Sequence, residues 1–332
     1  MGQSLIRVQQ GVSSGASDEQ LLFIRQMGVK YLYVIFNNKD SDYDSVMRFK
    51  ERALRFGLEI TDAGNEEIYK CPSIHLGLSD RDECIERYND FTRVLGKAGI
   101  HTGYMTWEPN KVLTTRFGVG KDTRGAVGRI VDIDQLKTLP YSHGRQYTEE
   151  ETWNNFKYFL DRALPVCEEA DVRIALHPCD PPVPSLRGIY NLIHSAADYK
   201  RAFELAGNSP YLGMKLCVGC WLEGGADFGS LLEDIRYFSE RKKIFVVHFR
   251  NVSSPLPKFE ETLLEDGYMD MYRVMQQLVR CRYDGVVTVD HVPEFVRECG
   301  GKNAAFAYSI GYMKALLHCA QVEAGRQKES PD

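Results

Sequence analysis

The chain has 332 residues, 43% of them hydrophobic and 26% charged, with a formal net charge of −5. This composition suits a globular protein with a substantial core, and the mild acidity excludes a phosphate-backbone partner, so no nucleic acid is expected. No run approaches the roughly 18 apolar residues of a membrane span, and the N-terminus MGQSLIRVQQGVSSG has no apolar signal region. Ile6 stands where a myristoylation motif needs Ser or Thr, so lipidation is not expected either. Nine scattered cysteines, an odd number, favour reduced thiols in a cytoplasmic protein over a disulfide framework. Cys217-Val218-Gly219-Cys220 has redox-motif spacing but no thioredoxin-like context.

In chain order, a short strand is predicted over 5–8, then a helix over 19–27 capped by Asp18 and closed by Gly28. A strand follows over 30–36, a helix over 44–56 ended by Gly57, and a third strand over 58–61 running out at Asp62, Gly64 and Asn65. Residues 66–80 read as irregular, 81–97 as an amphipathic helix, and 101–105 as a fourth strand. The stretch 106–148 breaks the rhythm. It opens on Trp107-Glu108-Pro109-Asn110, shows no sustained periodicity, and reads as a lid or binding loop. A long helix over 149–169, capped by Thr148, precedes strands at 172–176, 212–216, 244–249 and 285–289. Helices are expected between them at 196–206, 228–239 and 270–280, with Asp198, Asp227 and Asp270 near their starts, and a last one near 302–319. Eight strands, each followed by a helix, make the pattern of a (β/α)8 barrel of the α/β class, a single domain over 1–320 with a polar tail at 321–332. An open doubly wound sheet is the alternative, but no glycine fingerprint follows the first strand.

Barrel sites gather at the C-terminal ends of strands, and the last four strands end in polar groups. RIALH ends at His177, YLGMKLC at Cys217, IFVVHF carries His248, and GVVTV runs into Asp290-His291. A lone strand-end histidine is more often structural, and a lone cysteine is often a small buried hydrophobe. Two histidines, a cysteine and an aspartate on four successive strands form a mixed nitrogen, sulfur and oxygen set that suits a divalent transition metal. The thiolate disfavours magnesium, which leaves zinc, manganese and ferrous iron. Arg250 and Asn251 follow His248 directly. A guanidinium suits a substrate carboxylate, and the alternative for Arg250 is an ion pair with an acid such as Glu260. Trp107 is a candidate sugar-stacking surface or an ordinary packing residue, and Asp180 and Arg187 lie in the loop beyond His177.

The segments ALHPCDPP (175–182), KLCVG (215–219), VVHFRNV (246–252), DGYMDM (266–271), YDGVVTVDHVPE (283–294) and AYSIGYM (307–313) resemble the mannonate dehydratases of the UxuA type, xylose-isomerase-like barrels. Weaker similarity extends through GNEEIY and 81–116. The resemblance implies dehydration of D-mannonate to 2-keto-3-deoxy-D-gluconate. It implies His177, Cys217, His248 and Asp290 as ligands of a divalent ion, manganese first with Fe2+ or Zn2+ as alternatives. It also implies His291 and Tyr308 as the acid/base pair. Arg250, Asn251 and Trp107 are then the expected substrate contacts. The chain departs from the family at Thr288-Val289, where members carry Arg-Pro, which opens the substrate to another sugar acid. Two other readings stay open: a metal-dependent sugar isomerase or epimerase on the same barrel, and a non-catalytic sugar-acid-binding protein. A homo-oligomer is a further expectation; no membrane partner is expected.

Overall fold

The structure, a computed structural model, describes residues 6–329, with the backbone alone described over 326–329. Eight parallel strands form one sheet: β1 (Arg7–Ser13), β2 (Tyr31–Phe36), β3 (Glu59–Asn65), β4 (Thr102–Thr106), β5 (Arg173–His177), β6 (Leu212–Cys217), β7 (Ile244–Phe249) and β8 (Val286–Val289). Their order, β3-β2-β1-β8-β7-β6-β5-β4, is the cyclic order of a (β/α)8 barrel, with the hydrogen-bonded series open between β3 and β4. The principal helices are α1 (Asp18–Gln26), α2 (Tyr43–Arg55), α3 (Arg81–Lys97), α4 (Glu149–Glu169), α5 (Ala196–Leu205), α6 (Leu231–Glu240), α7 (Met271–Arg280) and α8 (Gly301–Glu329). All eight expected strand–helix pairs are present. The first strand begins two residues later than predicted, and position 5 lies outside the described residues.

Local chemistry explains the helix ends. Ser17, one residue before the expected Asp18, caps α1 through a reciprocal box with Gln20. Asp18 instead lies in the first turn, where its charge complements the exposed amides. Gly28 follows α1 at φ 73°, a left-handed conformation that a side chain would strain. Thr148 caps α4 as predicted, in a box with Glu151. The sixth helix begins at Leu231 rather than 228, because Gly225–Asp227 form a 3-10 turn first. The last helix continues to Glu329, so 321–329 of the expected polar tail is helical; positions 330–332 lie outside the described residues. Within 66–80, read as irregular, Glu66–Tyr69 and Pro72–Leu76 are short helices, the second with proline in its first turn, where a missing N–H costs nothing.

The chain divides into two compact units. One comprises Gln9–Leu113 and Leu139–Lys215. In it β2 pairs with β1 and β3, and β5 pairs with β4 and β6, all in parallel. The other comprises Met1–Val8, Thr114–Thr138 and Leu216–Asp332, with β7 paired to β8. This second unit also holds a small antiparallel sheet in the order Asn251–Val252, Lys258–Thr262, Val127–Asp132, Arg116–Val119. The supposedly structureless 106–148 stretch therefore supplies two strands. Val127–Asp132 was illegible because it pairs with residues some 130 positions away, as in Phe259 opposite Val131, and Arg116–Val119 forms a hairpin with it. The segment on either side of them is anchored in the first unit, where Tyr147 pairs with Ile189 and packs beside Leu76.

Candidate active site

The second unit brings Cys217, His248, Asp290 and His291 together at strand ends. Cys217 is the last residue of β6, His248 the penultimate residue of β7, and Asp290 and His291 follow β8 immediately. β7 is buried along its whole length, so its apolar run carries His248 into the interior. His248 Nδ1 lies 3.1 Å from Asp290 Oδ1, and Cys217 Sγ lies 3.9 Å from Asp290 Oδ2. Two donors on one ion, each about 2.1 Å from it, stand roughly 3.0–3.4 Å apart, and a sulfur donor adds a few tenths of an ångström. The His248–Asp290 spacing fits a shared ion, and the sulfur stands slightly wide of it. A soft thiolate, an imidazole and a carboxylate form a donor set suited to a transition metal.

His177, in the first unit, is the last residue of β5, where Thr106 of β4 is its register partner. Its Nδ1 is 2.7 Å from the Pro178 carbonyl. A carbonyl only accepts, so Nδ1 carries the proton and Nε2 presents the lone pair, the arrangement of a metal-ligating histidine.

The surroundings of Asp290 were not legible in the sequence. Arg250, 0% exposed, donates through Nε to Asp290 Oδ2 at 3.1 Å and through Nη1 to Glu223 at 2.5 Å and Glu261 at 3.2 Å. A second buried guanidinium, Arg129, reaches the same two glutamates at 3.5 and 3.2 Å. Arg250 Nη2 also points to Cys217 Sγ at 3.6 Å. The expected substrate clamp is thus corrected. Arg250 is committed to three carboxylates inside the protein, and Glu260, its suggested partner, accepts instead from the Asp122 amide at 3.2 Å. Burying these charges is tolerable because every carboxylate meets a cation.

His291 Nδ1 donates to Glu261 Oε1, 2.7 Å away, and the His291 side chain is 40% exposed. Burial alone would lower the His291 pKa, but Asp290 and Glu261 outweigh it and raise it to about 9. Burial alone would raise Glu261; His291, Arg250 and Arg129 outweigh that and hold it down at about 2. Asp290 is held well below the usual carboxylate range, because His248, His291 and Arg250 overcome its burial.

Tyr308, on α8, is 42% exposed. Its hydroxyl donates to Glu265, which pushes its pKa upward, and the Arg124 guanidinium lies 5.6 Å from its ring centre. Arg124, from the loop between the two strands of the 106–148 stretch, pairs with Glu265 and Asp266, each at 2.7 Å.

The other two expected substrate contacts are interior. Asn251 donates to the carbonyls of Leu264 and Met269, both at 2.8 Å, and accepts from the Val252 amide, which fixes the 264–269 turn. Trp107, 2% exposed, packs in the first unit against His75, Phe156 and Phe159 with ring centres 4.5, 5.1 and 5.9 Å away. It is a core residue there, not a sugar-stacking face. Arg187 donates to the Pro140 carbonyl, and the Asp180 carbonyl accepts from Leu113, so both brace loops. Thr288 is buried in β8, opposite His248, and supplies no guanidinium. Glu223, Glu261 and Arg129 could be found only by the rule that charges are not buried alone, once the pairing was known.

The family profile described as D-mannonate dehydratase (UxuA) matches residues 127–327. A mannonate dehydratase of Thermotoga neapolitana is 30% identical over 282 residues, covering 75% of this chain and 77% of that protein. One from Streptococcus pneumoniae is 27% identical, covering 75% and 73%. Among solved structures, mannonate dehydratase from Streptococcus suis serotype 2 superposes with a TM-score of 0.85 at 24% identity, over 99% of this chain and 96% of that one. An L-ribulose 3-epimerase shares the fold at a TM-score of 0.64 and 14% identity, over 98% and 100%. The profile and the Thermotoga relative, together with the strand-end residues above, place this chain in the D-mannonate dehydratase family, whose members are hydro-lyases.

Proposed function

We propose that this protein removes water from a sugar acid, with D-mannonate as substrate and 2-keto-3-deoxy-D-gluconate as product. The observation that carries the reading is the meeting of Cys217, His248 and Asp290 at strand ends beside the paired His291 and Glu261. His177, Cys217, His248 and Asp290 would hold a divalent ion, with manganese as the first candidate. When bound, such an ion supplies the positive charge that stabilises the carboxylate as negative charge builds on it. Asp290 has one oxygen toward His248 and the other on Arg250, so the guanidinium sets the carboxylate's orientation. His291 and Tyr308 share the two proton transfers. One takes the proton from the carbon beside the carboxylate, and the other gives a proton to the departing hydroxyl, which leaves as water. The resulting enol becomes the 2-keto acid. A cytoplasmic setting belongs to the same reading, since nine scattered cysteines, an odd number, suit a reducing compartment.

The test is incubation of the manganese-loaded protein with a panel of hexonates, followed by detection of 2-keto-3-deoxy acids. Product from D-mannonate, lost on adding chelator, is the expected outcome. No product from any hexonate overturns the proposal.

A further inference from the structure

The small antiparallel sheet of the second unit sends two charged side chains into the interior. Its strand Lys258–Thr262 sends Glu261 into the interior, and its strand Val127–Asp132 sends Arg129 to meet it. Glu261 is buried, and its Oε1 accepts from Arg129 Nη1 and from Arg250 Nη1, each at 3.2 Å. Two cations thus hold that oxygen in place before His291 is considered.

His291 needs such a partner. It lies beyond the end of β8, in a segment 290–293 without helix or strand, so no backbone ladder holds its ring. Its Nδ1 is 2.7 Å from Glu261 Oε1. An ionised carboxylate only accepts, so Nδ1 must carry a proton, and Nε2 is left as the nitrogen that exchanges protons with a substrate. Nε2 stands 3.7 Å from Asp290 Oδ1, which turns it toward the strand-end cluster.

We propose that Glu261 is the positioning residue for His291: it fixes the ring's orientation and commits Nδ1 as the protonated nitrogen, with Arg129 and Arg250 holding Glu261 in place. The inference rests on the proposal that His291 transfers a proton in the dehydration. It assigns the inserted sheet a part in building the site, because both Glu261 and Arg129 come from it.

The test is a double-mutant cycle in the full-length, manganese-loaded protein, using Glu261→Gln, His291→Gln and the pair. Glu261→Gln keeps the side chain's size and removes its charge. The expected result is a fall in kcat of about 100-fold, the low end of what a positioned acid–base group contributes, with KM and manganese stoichiometry unchanged. In the His291→Gln background the same change should alter kcat by less than about 3-fold, since a residue acting through another has nothing left to act on. Equal, additive losses in both backgrounds would overturn the inference. If Glu261→Gln does not fold, Glu261→Asp enters the same cycle; it keeps the charge and withdraws the carboxylate by one methylene. A second readout is independent of turnover. Proton NMR of the zinc-loaded, 15N-histidine-labelled protein should show a far-downfield His291 Nδ1–H resonance that is lost in the Glu261 variant. Its absence from the wild-type protein overturns the positioning role. An inactive wild type that shows this resonance overturns the proposed reaction alone.

Discussion

Replacing Arg250 by methionine removes the cation shared by Glu223, Glu261 and Asp290 while keeping most of the side chain's volume. Three buried carboxylates would then face Arg129, His291 and His248 alone. Breaking a buried ion pair from one side costs about 3–5 kcal/mol, because the remaining charge is left uncompensated. Unfolding entropy of about 2.1 cal/mol/K per residue corresponds to about 0.7 kcal/mol/K for this chain, so Tm should fall by about 4–7 °C near neutral pH. The loss should depend on pH in a defined direction. Glu261 is held at about 2 and Asp290 well below its ordinary value, in each case against burial and by neighbouring cations that include Arg250. A depressed carboxylate contributes stability that is present above its unfolded pKa and is lost as pH falls through its folded value. Arg250→Met lets these carboxylates titrate closer to their unfolded range, so the gap between variant and wild type should be full at about pH 7 and shrink between about pH 4.5 and 2. Denaturant titrations of the metal-free proteins across that range make the measurement. An unchanged midpoint at neutral pH, or a gap that stays constant on acidification, would refute the electrostatic account of Arg250.

Cys217→Ala should weaken metal retention at least about 10-fold, measured by elemental analysis after dialysis; full stoichiometry in the variant would remove Cys217 from the ligand set. Trp107→Ala should cost about 3–5 kcal/mol, because a large side chain vanishes from a packed interior, and KM for the sugar acid should not change. A raised KM with unchanged Tm would return Trp107 to the substrate.

The strand-end cluster was visible in the sequence because it sits on the strongest periodic signals in the chain. β6 and β7 are buried throughout, so their apolar runs mark where each strand ends and which polar residue stands there. The same logic gave Asp290-His291 after β8 and His177 at the end of β5. It failed for Arg250 and Asn251, which follow His248 in sequence but turn inward. Arg250 is spent on Glu223, Glu261 and Asp290, and Asn251 is spent on the carbonyls of Leu264 and Met269. Adjacency to a ligand predicts that a residue is near the site, not which way its side chain points.

Local sequence thus determined the eight strand–helix units, the polar residues at the ends of the last four strands, and some of the caps, because those depend on periodicity and on interactions within a few residues. Only tertiary structure could decide what Arg129, Glu223 and Glu261 do. Glu261 lies 30 positions from His291, and Arg129 lies 132 positions from Glu261. Their burial is tolerable only because pairing across those separations neutralises each charge, and no property of the separate segments encodes that pairing.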